Sequence, residues 1–414
     1  MSAPASQKPA RSATAHEGPA YSAPALLPLA EQNTRQYLRD LAELVAIDSG
    51  SYSPHGVNRI ADWLTTRLHG LGFTVERTRP DPEQGPPVGD VLVARRTGRL
   101  TAAAGGRRIL LAGHMDTVFE DGTAAERPFS MVGAIAHGPG VSDDKGGLLA
   151  GLTAVEILLR AGWEDYAELV LIATPDEEIG SPASRPVTER VAAGADYALA
   201  LECARENGDL VTGRKGVADF QLVVTGRAAH AGIEPERGAN AALAAAHHVV
   251  ALQELNGRWP GVTVNVGVLR AGTRPNIVCP EAELRIEVRA GTTAGLHLAA
   301  DAVRALAARE VVPGTTTTVV QVDLCPPMED TPAARAVFAV ARGAAADLGV
   351  AVGAAATGGV GDANLIAGTG VPTLDGLGPV GGADHTPQEW LDTSTVPTRV
   401  AILAATVAKL GRHS

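Results

Sequence analysis

The chain is predicted to be an α/β protein: a mainly parallel sheet sandwiched by helices, with a smaller ferredoxin-like α+β domain inserted into it. Three observations lead there. Short apolar runs alternate with amphipathic helical segments through the first half, as they do in a parallel sheet covered on both faces. From about Gly216 the order becomes strand-helix-strand-strand-helix-strand, the split βαβ of a ferredoxin-like sandwich. Finally, metal-ligating residue types fall both before and after that insert, so the larger domain must be discontinuous for them to meet. With 414 residues and 45% hydrophobic content, the chain can bury more than one core.

Residues 1–25 are rich in Ala, Pro and Ser and lack the apolar core of a secretory signal. They read as a disordered tail on a cytoplasmic protein, with a processed targeting peptide as the alternative. The first part of the larger domain is expected over 26–215. It opens with amphipathic helices from Glu31 to Ile47 and from Asn58 to Leu71, the second closed by Gly72. Apolar runs follow around Val91, before His114, from Glu168 and up to Glu202, with a helix opening at Gly146. Ligands of such sheets sit beyond the carboxyl ends of the strands, where His114, Glu177, Glu178 and Glu202 fall.

The insert spans 216–325. ADFQLVVTGR, VTVNVGVLR, EAELRIEVR and TTTTVVQVDL read as strands, and Ala239 to Leu252 and Ala294 to Ala308 as helices. His247 and His248 lie inside the first of these helices and read as structural or solvent-facing. The second part of the larger domain covers 326–414, with helices near Ala333 and Ala363, a strand at PTLDGLG and a closing helix through Val400 to Leu410.

A formal net charge of -11 without a dense Lys/Arg block argues against nucleic acid or an anionic membrane surface as partner. No apolar segment approaches the ~20 residues of a membrane helix. Cys203, Cys279 and Cys325 are far apart and form no C-x-x-C pair, so they read as buried small hydrophobes.

Chemistry concentrates in five short segments. In GHMDTVF, His114 and Asp116 stand two apart at a strand's end, where Asp116 can accept the second ring N–H of His114 and fix its tautomer for a metal. A solvated turn is the plain alternative. In GVSDDKGG, Asp143 and Asp144 precede two glycines; one is readily a helix N-terminal acid, and Asp143 is the candidate for bridging two cations. ATPDEEIGS puts three acids in a row, which is costly unless cations offset the repulsion. One of Glu177 and Glu178 can bind metal while the other takes a proton from water. Glu202 ends YALALE, and His385 lies in the glycine-rich loop GPVGGADHTPQE. Imidazole and carboxylate without thiolate suit a borderline-hard divalent cation.

These motifs, in this order, resemble the dizinc metallopeptidase family of glutamate carboxypeptidases, aminoacylases, acetylornithine deacetylases and succinyl-diaminopimelate desuccinylases. The resemblance runs from about Leu38 to the C-terminus. It implies a zinc-peptidase-like catalytic domain and two zinc ions, with cobalt or manganese as substitutes, held by His114, Asp143 as bridge, Glu178, Glu202 and His385. Asp116 would orient His114, and Glu177 would be the general base. In the insert it implies that His230, in VVTGRAAHAG, reaches the partner subunit's site in a homodimer and stabilises the oxyanion. Asn276, in TRPNIVCP, and Arg289, in EVRA, would bind the substrate's carboxylate, and Gly358, in TGGVGDAN, would belong to the glycine-rich substrate loop. Glu287 departs from the family's usual aspartate two residues before that arginine.

Loop similarity around Ser184, Arg185 and the GPGVSDDKGG segment leans toward the glutamate carboxypeptidase branch. The expected activity is hydrolysis of the amide joining an acyl or aminoacyl group to an amino acid with a free carboxylate, in a small peptide or N-acyl amino acid. The alternatives are an N-acyl-amino-acid deacylase of the same family and a catalytically silent metal-binding protein on the same fold; the intact Glu177 speaks against the last. A serine or cysteine hydrolase has little support, since no G-x-S-x-G elbow is present and no motif places a histidine beside any of the three cysteines.

Overall fold

A computed structural model describes residues 21–80 and 87–412. Most of the expected tail, residues 1–20, lies outside these. Residues 23–25 do not belong to a tail: they open the first helix, Ala23–Val45, eight residues before the periodicity becomes readable at Glu31. Pro24 sits in its first turn, where a missing N–H costs nothing, and Ala23, Leu26 and Ala30 are buried.

The main sheet has six strands among the described residues, in the order Thr74–Thr78, Val91–Thr97, Glu168–Thr174, Arg108–His114, Tyr197–Ala200, Thr373–Leu374. The last four run parallel, and Val91–Thr97 is antiparallel to both its neighbours. Alternation along Arg108–His114 explains its continuous apolar run. Ile109 and Leu111 enter the large core under helices Ala23–Val45, Lys145–Arg160 and Val396–Leu410, whereas Leu110 and Ala112 point to a second core with Val187, Val191 and Ile366. Thr373–Leu374 joins the sheet after the insert, so the large unit is discontinuous.

The insert carries a four-stranded antiparallel sheet in the order Thr263–Ala271, Glu281–Ala290, Gly216–Thr225, Thr316–Cys325. Helices Ala241–Gln253 and Thr293–Ala307 cover one face around Phe220, Leu222, Leu284 and Leu296, a core separate from the others. The other face stays open at Val320 and Val322. His248 is buried and its Nε2 lies 3.0 Å from the Thr317 hydroxyl, a structural role.

Several elements left no readable periodicity. The hairpin Ser130–Val132 and Ile135–His137 pairs with Trp390–Asp392, which in turn pairs with Gly381–Gly382. This small sheet draws the loop of His385 toward the loop of Asp143. No helix of the described residues is long and apolar enough to cross a membrane.

Candidate active site

His114 ends strand Arg108–His114 and is almost fully buried. Its Nε2 lies 2.9 Å from Asp143 Oδ1 and 3.6 Å from Glu202 Oε1. On the far side, Nδ1 sits 3.0 Å from the backbone carbonyl of Asp116 and 3.4 Å from its carboxylate. The carbonyl is thus the nearer partner, and the expected carboxylate contact stands beside it. The strand ends at His114, so the next residues turn. The buried Asp116 carboxylate also accepts from the Ser51 hydroxyl at 2.6 Å and from the backbone N–H groups of Glu177 and Glu178, both at 3.1 Å. It therefore anchors the Glu177–Glu178 turn to the His114 loop.

Asp143 is the hinge of the cluster. Its Oδ1 faces His114 and its Oδ2 lies 3.2 Å from His385 Nε2, which also meets Glu178 Oε2 at 3.0 Å. The Asp143–Asp144 peptide is cis. Asp144 occupies the N-cap position of helix Lys145–Arg160, as one of the two acids was expected to do, but its carboxylate is fully buried. Gly147 is required here: a Cβ would stand 1.9 Å from the Leu201 carbonyl, just before Glu202. His385 has φ of 63° and Ala383 56°, left-handed conformations that aim the imidazole at the cluster at a backbone cost.

The acids of ATPDEEIGS are not a solvated loop. The Asp176 carboxylate is buried and accepts from the backbone N–H groups of Ala183 and Ser184 at 2.7 and 3.2 Å. Glu177 and Glu178 face a cavity of about 550 Å³, also lined by Asp143, Glu202, His385 and Arg289. Gly361 closes over Glu177 so tightly that a Cβ would lie 2.7 Å from its Oε1.

The electrostatics are those of crowded acids. Burial, followed by repulsion from neighbours such as Glu178, Asp362 and Asp143, pushes the Glu177 carboxyl well up. Burial and Asp143 do the same to Glu202. Asp143 goes the other way: burial works to raise it, but hydrogen bonds from His114 and His385 prevail and hold it well below the usual carboxylate range. Contacts with Asp143 and Glu178 push His385 up to about 11. The field that favours positive charge on this imidazole is the field that draws a cation.

The donor set fits divalent metal. One ligand atom each from His114, Asp143 and Glu178 lie within 4.8 Å of one another. With metal–ligand bonds of about 2.0–2.1 Å, ligand atoms of a tetrahedral site stand about 3.3 Å apart. The contacts among His114, Asp143, Glu178, Glu202 and His385, from 2.9 to 3.6 Å, span that value.

The other expected residues are placed differently. Arg289 lines the cavity, but its guanidinium forks onto Glu287 at 2.7 and 2.9 Å and donates to the Gly358 carbonyl at 2.5 Å. Gly358 itself is exposed, and Gly359, Val360 and Gly361 line the cavity in its place. His230 and Asn276 adjoin each other, with Ala231 N–H donating to the Asn276 carbonyl at 3.1 Å, yet neither lines the cavity in its own chain. The three cysteines are free; Cys279 is buried, while Cys203 and Cys325 are half-buried and line the cavity.

Four residues escaped the sequence reading. Ser51 fixes Asp116, and Arg214, at 2.6 Å from the buried Asp375, adds a second guanidinium to the cavity. Asp362 receives the Thr174 and Ser181 hydroxyls at 2.5 and 2.6 Å behind Glu177. Glu389 is buried and accepts backbone N–H groups of Gly140, Ser142 and Asp143 at 2.9, 2.8 and 3.1 Å. Of these, Glu389 and Asp362 had a local signal, as the acid four residues past His385 and as the acid inside TGGVGDAN.

Comparison with known proteins agrees with this geometry. Residues 110–409 match the model of peptidase family M20/M25/M40. The chain is 31% identical over 377 residues to carboxypeptidase G2 of Pseudomonas sp. (strain RS-16), covering 90% of this chain and 89% of that protein. It is also 31% identical over 251 residues to acetylornithine deacetylase of Vibrio cholerae, covering 56% and 60%. Aminopeptidase PepT from Bacillus cereus shares the fold, with a TM-score of 0.76 at 24% identity over 92% of this chain and 99% of that one. With its histidines and carboxylates gathered at the strand ends of this fold, the chain belongs to peptidase family M20/M25/M40 and is a metal-dependent hydrolase.

Proposed function

We propose that this protein hydrolyses the amide joining an acyl or aminoacyl group to an amino acid with a free carboxylate, in the manner of a glutamate carboxypeptidase. The observation that carries the reading is the charge layout of the central cavity. Asp143, Glu178, Glu202 and His385 gather at one end, Glu177 stands beside them, and the guanidiniums of Arg205, Arg214 and Arg289 line the same space. A carboxylate-bearing leaving group fits such a layout.

Two divalent cations per chain, zinc or cobalt or manganese in its place, would be held by His114, Glu202 and Asp143 on one side and by Asp143, Glu178 and His385 on the other. Bound there, they would supply Lewis acidity and ease deprotonation of water. Glu177 takes the proton from the attacking water and passes it to the leaving amine. Asp116, locked by Ser51 and two backbone N–H groups, orients His114 chiefly through its carbonyl. Arg289 receives the substrate's carboxylate beside the loop at Gly358, and Asn276, which adjoins His230 outside its own chain's cavity, joins it from the second copy.

The oxyanion is met by His230 of a second copy. This part rests on the exposure of His230 outside its own chain's cavity, on the edge strand Thr263–Ala271 with its exposed Leu269, and on the exposed Leu243 and Val250 of helix Ala241–Gln253. The N-acyl-amino-acid deacylase remains the second reading, favoured by the likeness to acetylornithine deacetylase.

The test is a panel of dipeptides and N-acyl amino acids, each with a free or an amidated C-terminal carboxylate, given to zinc-loaded protein. Amidation is expected to lower kcat/KM by about a hundredfold, the loss of a charged pairing in a buried site. Equal hydrolysis of both forms, or activity that survives complete chelation, would overturn the reading.

A further inference from the structure

A second cavity of about 410 Å³ adjoins the first and shares Glu178 and Ile179 with it. Its walls are the segments 50–53 and 117–121. We propose that it is the acyl subsite of the enzyme, and that it takes a neutral aromatic or bulky apolar acyl group in preference to a small or an anionic one. The proposal rests on the amidohydrolase reading above and names the half of the substrate which that reading leaves open.

The position follows from the two ends of the substrate. All three guanidiniums near the acidic cluster, Arg205, Arg214 and Arg289, line the first cavity, and none lines the second. The carboxylate of the leaving amino acid therefore belongs in the first. The reacting carbonyl belongs at the Asp143–Glu178 cluster, between the two spaces. An acyl chain on its other side runs out past Glu178 and Ile179 into the second cavity.

The chemistry follows from its walls. Tyr52 is 69% exposed and is the one aromatic among the exposed large hydrophobic side chains of the described residues. Val118 is exposed beside it, and Phe119 is half-buried with the Arg127 guanidinium 4.4 Å from its ring centroid. An aromatic ring left bare at the mouth of a site is ready to gain area and stacking from a ligand. Glu120 and Asp121, both exposed, complete the lining and repel an anionic acyl group.

The walls are also stiff. Ser51 N–H donates to the Thr117 carbonyl at 3.3 Å, and Thr117 N–H to the Ser49 carbonyl at 2.9 Å. Asp48 accepts from the backbone N–H groups of Gly122 and Ala124 at 2.9 and 2.7 Å. A subsite built this way loses little freedom on binding.

The experiment uses the zinc-loaded full chain and three substrates, the N-acetyl, N-phenylacetyl and N-succinyl derivatives of whichever amino acid is released fastest in the panel above. The wild type is expected to prefer phenylacetyl to acetyl and to handle succinyl worst. Tyr52→Ala and Val118→Asp, both at exposed positions, are each expected to lower the phenylacetyl-to-acetyl ratio of kcat/KM by about tenfold, as the loss of one stacking or apolar wall would. A ratio unmoved in both variants, or succinyl as the best substrate, would overturn the subsite and leave the amidohydrolase reading standing. A panel that releases no amino acid at all would overturn both.

Discussion

Two carboxylates a residue apart do different work because of what surrounds them. Glu178 faces His385 at 3.0 Å, whereas the Glu177 carboxylate makes no hydrogen bond or ion pair among the described residues; it lies under Gly361 and opens on the cavity. Glu177→Gln removes a base and leaves the proposed ligands in place, so hydrolysis should fall by about two orders of magnitude or more while metal content, read by elemental analysis, stays. Loss of metal in that variant would exchange the roles of the pair. Glu389 acts at a further remove, gathering three backbone N–H groups of the Asp143 loop although burial pushes its carboxyl up to about 7. In Glu389→Gln the amide offers one acceptor oxygen where the carboxylate offered two, leaving buried donors short of partners at about 1–3 kcal/mol. A lower unfolding midpoint and weaker zinc binding in chelator competition are the expected readouts.

At the scale of elements, helix Lys145–Arg160 is set against the strand-end segment that carries Glu202 at a distance that only glycine permits. A Cβ on Gly147 would stand 1.9 Å from the Leu201 carbonyl and 2.0 Å from Asp144 Oδ1. Gly147→Ala should therefore destabilise the protein by about 1–3 kcal/mol, as overpacking does, and displace Glu202 from His114. Chemical denaturation measures the first, zinc affinity the second; an alanine variant as stable as the parent would show that the helix can move without cost. Gly361 differs: a Cβ there would clash only with the Glu177 carboxylate, at 2.7 Å, a side-chain end that can turn aside, so its alanine variant should displace the base and leave the fold in place.

For the molecule as a whole, the open question is how many chains make one site. The insert has its own core, a bare outer face and a free edge strand, and it carries His230 and Asn276 away from the cavity of its own chain. If two inserts pair and exchange His230, a mixture of inactive His230→Ala and inactive Glu177→Gln chains should recover part of the activity after subunit exchange, because some mixed dimers hold one site with both groups. A fully active monomer in sedimentation, or exchanged mixtures no better than their parents, would leave His230 an ordinary loop residue.

The strand-helix alternation, the ferredoxin-like order of the insert and the cluster of His114, Asp143, Glu178, Glu202 and His385 were legible in the linear sequence. Periodicity of burial and the ends of apolar runs are local properties, and a family resemblance needs only the order of motifs. The start of the first helix was not legible, because Pro24 and Pro28 mask an apolar face that only packing reveals. Nor were Ser51, Arg214, Asp362 and Glu389, each a common polar residue whose role comes from a partner far along the chain: Glu389 meets Asp143 across 246 positions. Tertiary structure alone decided that the Asp116 carboxylate anchors a turn as well as meeting His114, whose nearer partner is the Asp116 carbonyl, and that Arg289 is already forked onto Glu287. A hydrogen bond depends on direction and distance in space, and spacing along the chain constrains neither once a turn intervenes.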